Sequence, residues 1–213
     1  MEKYAKFAKA SYSMYNDGKK NRKQREEDAQ KIIPSGYIID SSSDSKRTVF
    51  INHDIKEVVI AHRGTVPTDA KDLAADVSIM VNVSGSTARF KTAIQKDKKI
   101  KDKYKPQGYS IIIVGHSLGG KIAYESAKEN KVKAYLYNAA QGGSISDAII
   151  SKDKIKKALG LSTKKEKKAE KNITSYNTKL DPVSVTARNR AGTNIEVKQK
   201  KGKDVHTIDN FIK

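Results

Sequence analysis

The sequence predicts an α/β protein with a mostly parallel central sheet flanked by helices on both faces. Three observations carry this expectation. Tyr109-Ser-Ile-Ile-Ile-Val114 holds five apolar residues in six, the composition of a strand buried on both faces, as strands of parallel sheets are. From residue 87 onward, short β-branched runs alternate with stretches of helical periodicity, the order of a βαβ chain. The 213 residues, with only 4 Pro and 13 Gly and no Ser/Gly- or Pro-rich tract, suit one domain over 1–213 rather than two joined by a linker.

In chain order, Tyr4, Phe7, Ala8, Ser11 and Tyr15 recur at helical spacing. Residues 2–15 therefore read as an amphipathic helix, stopped by Asn16-Asp17-Gly18. A polar helix over 20–32 precedes Pro34, and Gly36-Tyr-Ile-Ile opens the first strand. Thr48–Ile51 and Glu57–His62 are β-branched runs on either side of Asn52–Lys56, a hairpin arrangement. Helical periodicity returns at 69–80 and 87–104, followed by the strand at 109–114, a helix over 117–129 and a strand at 132–138. A Lys-rich helical stretch spans 147–171. Strands at 172–177 and 194–198 and a terminal segment near 206–212 complete the chain.

Composition excludes several chemistries. There is no cysteine, which removes disulfides, thiolate metal sites and cysteine nucleophiles. Four histidines without CxxC or HExxH spacing do not suggest zinc, and no cofactor is expected. The N-terminal MEKYAKFAKASYSMYN lacks a continuous apolar core and does not read as a secretory signal. No run approaches the ~18 apolar residues of a membrane span, so the expected setting is intracellular or delivery inside a particle. The formal net charge of +19, concentrated at Lys96–Lys105, Lys152–Lys171 and Lys198–Lys203, favours solubility or contact with an anionic membrane. Nucleic acid is the least favoured partner, because aromatics hardly interleave with the lysines and no recognition motif accompanies them. Oligomeric state has no sequence signal.

The sharpest local signal is Gly115-His-Ser-Leu-Gly-Gly120, which contains G-x-S-x-G between a buried strand and a helix. In that context the turn strains the serine and lifts its hydroxyl above the sheet edge. Gly115 and Gly119 allow close approach of the flanking elements, and the helix N-terminus directs N–H groups at a developing anion. Ser117 then needs a base and a group to orient the base. Strand–elbow–helix sites order these as Ser, acid, His along the chain. Only His206 lies downstream of Ser117. Asp147 and Asp153 fall on a helical stretch and Asp204 is two residues from His206, whereas Asp181, before Pro182, follows a strand end, where such sites gather. Leu118 N–H supplies one oxyanion donor, and Ala61-His-Arg-Gly-Thr65 is the loop suited to supply the second through Thr65.

Taken in order, His62-Arg-Gly-Thr65, Asp72-Leu-Ala-Ala-Asp76, Gly-His-Ser-Leu-Gly-Gly, Asp181-Pro-Val and His206 resemble the class 3 lipases, the fungal triacylglycerol lipase-like family. The resemblance implies an α/β-hydrolase fold, a Ser117–Asp181–His206 triad and Thr65 in the oxyanion hole. It makes Asp76 a candidate to hold the Thr65 hydroxyl, against a plain capping or solvated role. Three departures stand out. The family usually has Phe where His62 stands. Gly85-Ser-Thr-Ala-Arg-Phe90 replaces its His-x-Gly-Phe segment, and the disulfides and secretion of the fungal members have no counterpart. Residues 66–83, with Val66, Leu73, Val77, Ile79 and Met80, read either as an amphipathic cover over the site or as a core-packing helix. The expected function is a serine hydrolase of lipid carboxylic esters, covering lipase, phospholipase and esterase. The rivals are an acyltransferase with the same triad and a non-catalytic basic protein binding nucleic acid or anionic membrane.

Overall fold

The computed structural model describes residues 1–66, 84–140, 170–184 and 192–213. The β-branched runs form the expected hairpin. β2 (Arg47–Asn52) and β3 (Glu57–His62) pair antiparallel from Arg47↔His62 to Asn52↔Glu57. The strand expected from Gly36 shrinks to a two-residue edge pairing, β1 (Ile38–Ile39), antiparallel to β2. From β3 onward every neighbour is parallel. β4 (Ser110–His116), β5 (Lys133–Tyr137), β6 (Ile173–Thr178) and β7 (Thr193–Val197) follow in sequence order across a seven-stranded sheet.

The helices explain why β4 is apolar without a break over residues 111–114. α1 (Glu2–Ser13) lies on one face, where Phe7 joins Phe50, Val59, Ile112 and Val114. α3 (Ser84–Tyr104) and α4 (Leu118–Asn130) cover the other, where Ile100 and Ala123 join Ile60, Ile111 and Ile113. Alternate residues of one strand thus serve opposite cores, which requires a continuous apolar run instead of an apolar/polar alternation. The polar α2 (Arg22–Gln30) begins with a capping box between Asn21 and Gln24, which satisfies first-turn N–H groups that its weak apolar face does not bury. The C-terminal segment closes as a short 3₁₀ turn, Ile208–Phe211, beside α1. The helices expected at 69–80 and over most of 147–171, with the cover at 66–83 beyond Val66, lie outside the described residues. Among the described residues, no helix is long and apolar enough to cross a membrane.

The topology decides where chemistry can gather. Parallel strands β3 to β6 bring their C-terminal ends to one rim. His62, His116, Tyr137 and Thr178 end these strands, so Thr65, Ser117, Asn138 and Asp181 all emerge on the same side of the sheet.

Candidate active site

Ser117 joins β4 to α4 at φ 58° and ψ −130°, a region that costs a non-glycine residue on the order of 1–3 kcal/mol. Surrounding backbone bonds hold it there. Its N–H donates to the Tyr137 carbonyl (3.1 Å), and its carbonyl accepts the N–H groups of Gly120 (2.9 Å) and Ala140 (2.9 Å). Two glycines make the bend sterically feasible. A Cβ on Gly115 would overlap the Gly119 backbone, and one on Gly119 would overlap the His62 carbonyl. The end of β3 and the start of α4 are thereby pressed against the serine. Leu118, 2 % exposed, opens α4, so its N–H is among those without an intrahelical acceptor.

Asp181 and His206, the two residues that chain order selects, are in contact. His206 Nδ1 lies 2.7 Å from Asp181 Oδ1, and both side chains are buried. The other Asp181 oxygen, Oδ2, accepts the Ser184 N–H at 2.7 Å. A carboxylate held in this way fixes the proton on Nδ1 and leaves Nε2 as the basic nitrogen. His206 Nε2 and Ser117 Oγ are both buried, and neither has a hydrogen-bond partner among the described residues. Asp204, set aside as the acid, serves the turn: its Oδ1 accepts the His206 N–H at 2.8 Å.

The loop after β3 packs directly on the bend. A Cβ on Gly64 would stand 3.1 Å from Ser117 Cβ and 2.8 Å from the His116 carbonyl, so only glycine lets this loop reach the serine. Thr65, half-buried, follows it. Asp76 lies outside the described residues. Two guanidinium groups border the same loop. Arg63 donates from Nε to Ser45 O (2.8 Å) and from Nη1 to Gly64 O (2.9 Å), with its guanidinium 4.6 Å from the Tyr15 ring centroid. Arg89 Nη2 donates to the Arg63 carbonyl at 3.3 Å. Burial lowers the pKa of both, and the Arg63 charge lowers that of Arg89 further. Neither forms an ion pair among the described residues, where carbonyl oxygens are their acceptors.

Three supporting groups escaped the sequence reading. Asn138, at φ 38° after β5, accepts the Thr178 N–H on Oδ1 (2.8 Å) and donates from Nδ2 to Val205 O (3.1 Å) and His206 O (3.2 Å). His116 and Tyr12 reach the same segment: His116 Nε2 lies 2.7 Å from His206 O, and its Nδ1 lies 2.8 Å from Tyr12 Oη. The only sequence hint is a polar residue at the end of each apolar strand. Among the described residues, no cluster of His, Cys, Asp and Glu could hold a metal ion. A surface cavity lies at the other end of the strands, lined by Ser110, Lys131 and Lys133.

The sequence model of a family described as phospholipase-like, the Tle-like phospholipase domain, matches residues 3–209. No curated protein sequence matches. Among solved structures, an MDLA mutant from Penicillium cyclopium superimposes with a TM-score of 0.56 at 18 % identity, over 97 % of this chain and 82 % of its own. Lipase II from Rhizopus niveus gives 0.55 at 15 % identity, over 97 % and 86 % of the two chains. At such identities the likeness establishes the fold, that of the α/β-hydrolases.

Proposed function

Because this chain belongs to the Tle-like phospholipase domain family and is a carboxylic ester hydrolase, we propose that it cleaves lipid esters through Ser117, His206 and Asp181, with phospholipids as the substrate class. One observation carries the proposal. A serine hydroxyl at a strained bend and an imidazole nitrogen oriented by a buried carboxylate are both enclosed and, among the described residues, unpartnered. Buried polar atoms normally find partners, and orphans of this kind mark groups kept for a ligand or a reaction.

In this reading His206 Nε2 takes the proton of Ser117 as Oγ attacks the ester carbonyl. The tetrahedral oxyanion is held by the N–H groups of Leu118 and Thr65. Collapse expels the alcohol, which receives the proton from His206, and leaves an acyl-enzyme that water attacks in the same way to release the fatty acid. Arg63 and Arg89 favour a phospholipid over a neutral fat, since one buried and one half-buried cation beside the oxyanion loop suit a phosphodiester. The +19 charge is proposed to draw the enzyme to anionic bilayers.

A fluorophosphonate probe tests the chemistry. Wild-type protein should label once per chain, while Ser117→Ala should neither label nor hydrolyse esters yet keep its melting temperature. Labelling that persists in Ser117→Ala overturns the nucleophile. Equal turnover of phosphatidylglycerol and a diacylglycerol of matched acyl chains, unchanged in Arg89→Gln, overturns the phospholipid assignment.

A further inference from the structure

We infer that Tyr12 and His116 are positioning residues that set the proposed base against the proposed nucleophile; the inference rests on the triad reading above. His116 occupies the variable position of the G-x-S-x-G bend, where its backbone is covalently continuous with Ser117. Its side chain turns away from the serine and uses both ring nitrogens. Nε2 lies 2.7 Å from the backbone carbonyl of His206, and Nδ1 lies 2.8 Å from Tyr12 Oη. A carbonyl can only accept, so Nε2 carries the proton. Burial, followed by the repulsion of a charged His206, pushes the His116 pKa down to about 3, and the ring is neutral near pH 7. Nδ1 is then an acceptor and the Tyr12 hydroxyl donates to it, which fixes both tautomer and ring orientation.

The consequence is mechanical. The imidazoles of His116 and His206 lie with centroids 4.7 Å apart. One residue is thus joined by a peptide bond to Ser117 and by a hydrogen bond to the main chain that carries the base. Tyr12 extends the tie to the other half of the site. Its hydroxyl abuts Gly64, where a Cβ would overlap it. A single phenol on α1 therefore touches both the oxyanion loop and the strut to His206. Small displacements matter here, because a shift of about 1 Å in a reacting group costs roughly 10²-fold in rate.

The test separates positioning from mere packing. Tyr12→Phe removes one oxygen and keeps the ring; kcat should fall about tenfold with KM unchanged and the melting temperature nearly constant. His116→Leu should lose roughly 10²-fold in kcat, normalised to sites titrated by fluorophosphonate. His116→Gln, which restores a donor toward the His206 carbonyl, should recover most of that loss, and a packing role predicts no such rescue. Wild-type kcat in Tyr12→Phe, or equal kcat in the Leu and Gln variants, overturns the inference while the triad stands. A wild-type protein that neither labels nor hydrolyses esters overturns both.

Discussion

His62 Nε2 lies 2.7 Å from Asp97 Oδ2, with the two side chains 2 % and 0 % exposed. This pair joins the end of β3 to the middle of α3 behind the serine bend. Ser126 Oγ donates to the same carboxylate oxygen (2.6 Å), and Arg47 Nη1 reaches the other at 3.3 Å. The contact gives a physical reason for the histidine where the resembling family usually has phenylalanine: a buried carboxylate requires donors, and an aromatic hydrocarbon supplies none.

Removing the hub of this network should be expensive. Asp97→Ala leaves Arg47 as an uncompensated buried charge and should cost about 3–5 kcal/mol. Urea unfolding would read it as a lower midpoint at constant slope. A loss below about 1 kcal/mol would mean that the cluster is largely self-cancelling.

His116 should make stability fall with acid in a defined window. Its imidazole titrates near 6.5 when unfolded and near 3 when folded, so below pH 6.5 the unfolded chain binds the proton first. The stabilisation is fully present above pH 6.5 and is lost as pH falls toward 3, with a slope approaching 1.4 kcal/mol per unit. The urea midpoint of wild-type protein should therefore decline between pH 6 and 5 more steeply than that of His116→Gln. Parallel declines would show that the ring is charged in the native state.

Gly119 should tolerate no side chain. The Cβ of Gly119→Ala would overlap the His62 carbonyl and the Arg63 backbone, groups fixed by strand pairing that cannot yield as a flexible side chain would. Overpacking of this kind costs about 1–3 kcal/mol, and the forced movement of the loop after β3, the proposed oxyanion loop, should remove roughly 10²-fold or more in kcat. Thermal melting together with ester turnover checks both, and a variant with wild-type values would show that the loop relaxes freely.

The sequence alone determined the α/β class, the succession of strands and helices along the chain, the hairpin, the bend at Ser117 and the pair of downstream candidates. These are local signals: an apolar run long enough for a two-sided strand, β-branched runs about a turn, and a short glycine-serine motif between a strand and a helix. Choosing among carboxylates was already less direct, since Asp181 was favoured over Asp204 only by its place after a strand end and before Pro182, and by the short spacing of Asp204 from His206. In the fold Asp181 meets the His206 ring, whereas Asp204 accepts its backbone N–H. Tertiary structure alone decided that His116 and Tyr12, 104 residues apart in the chain, converge with the His206 backbone, and that His62 finds Asp97. The reason is that periodicity records which way a side chain faces along its own element, whereas a hydrogen-bond partner depends on which remote elements the closed sheet and its helices bring to the same point.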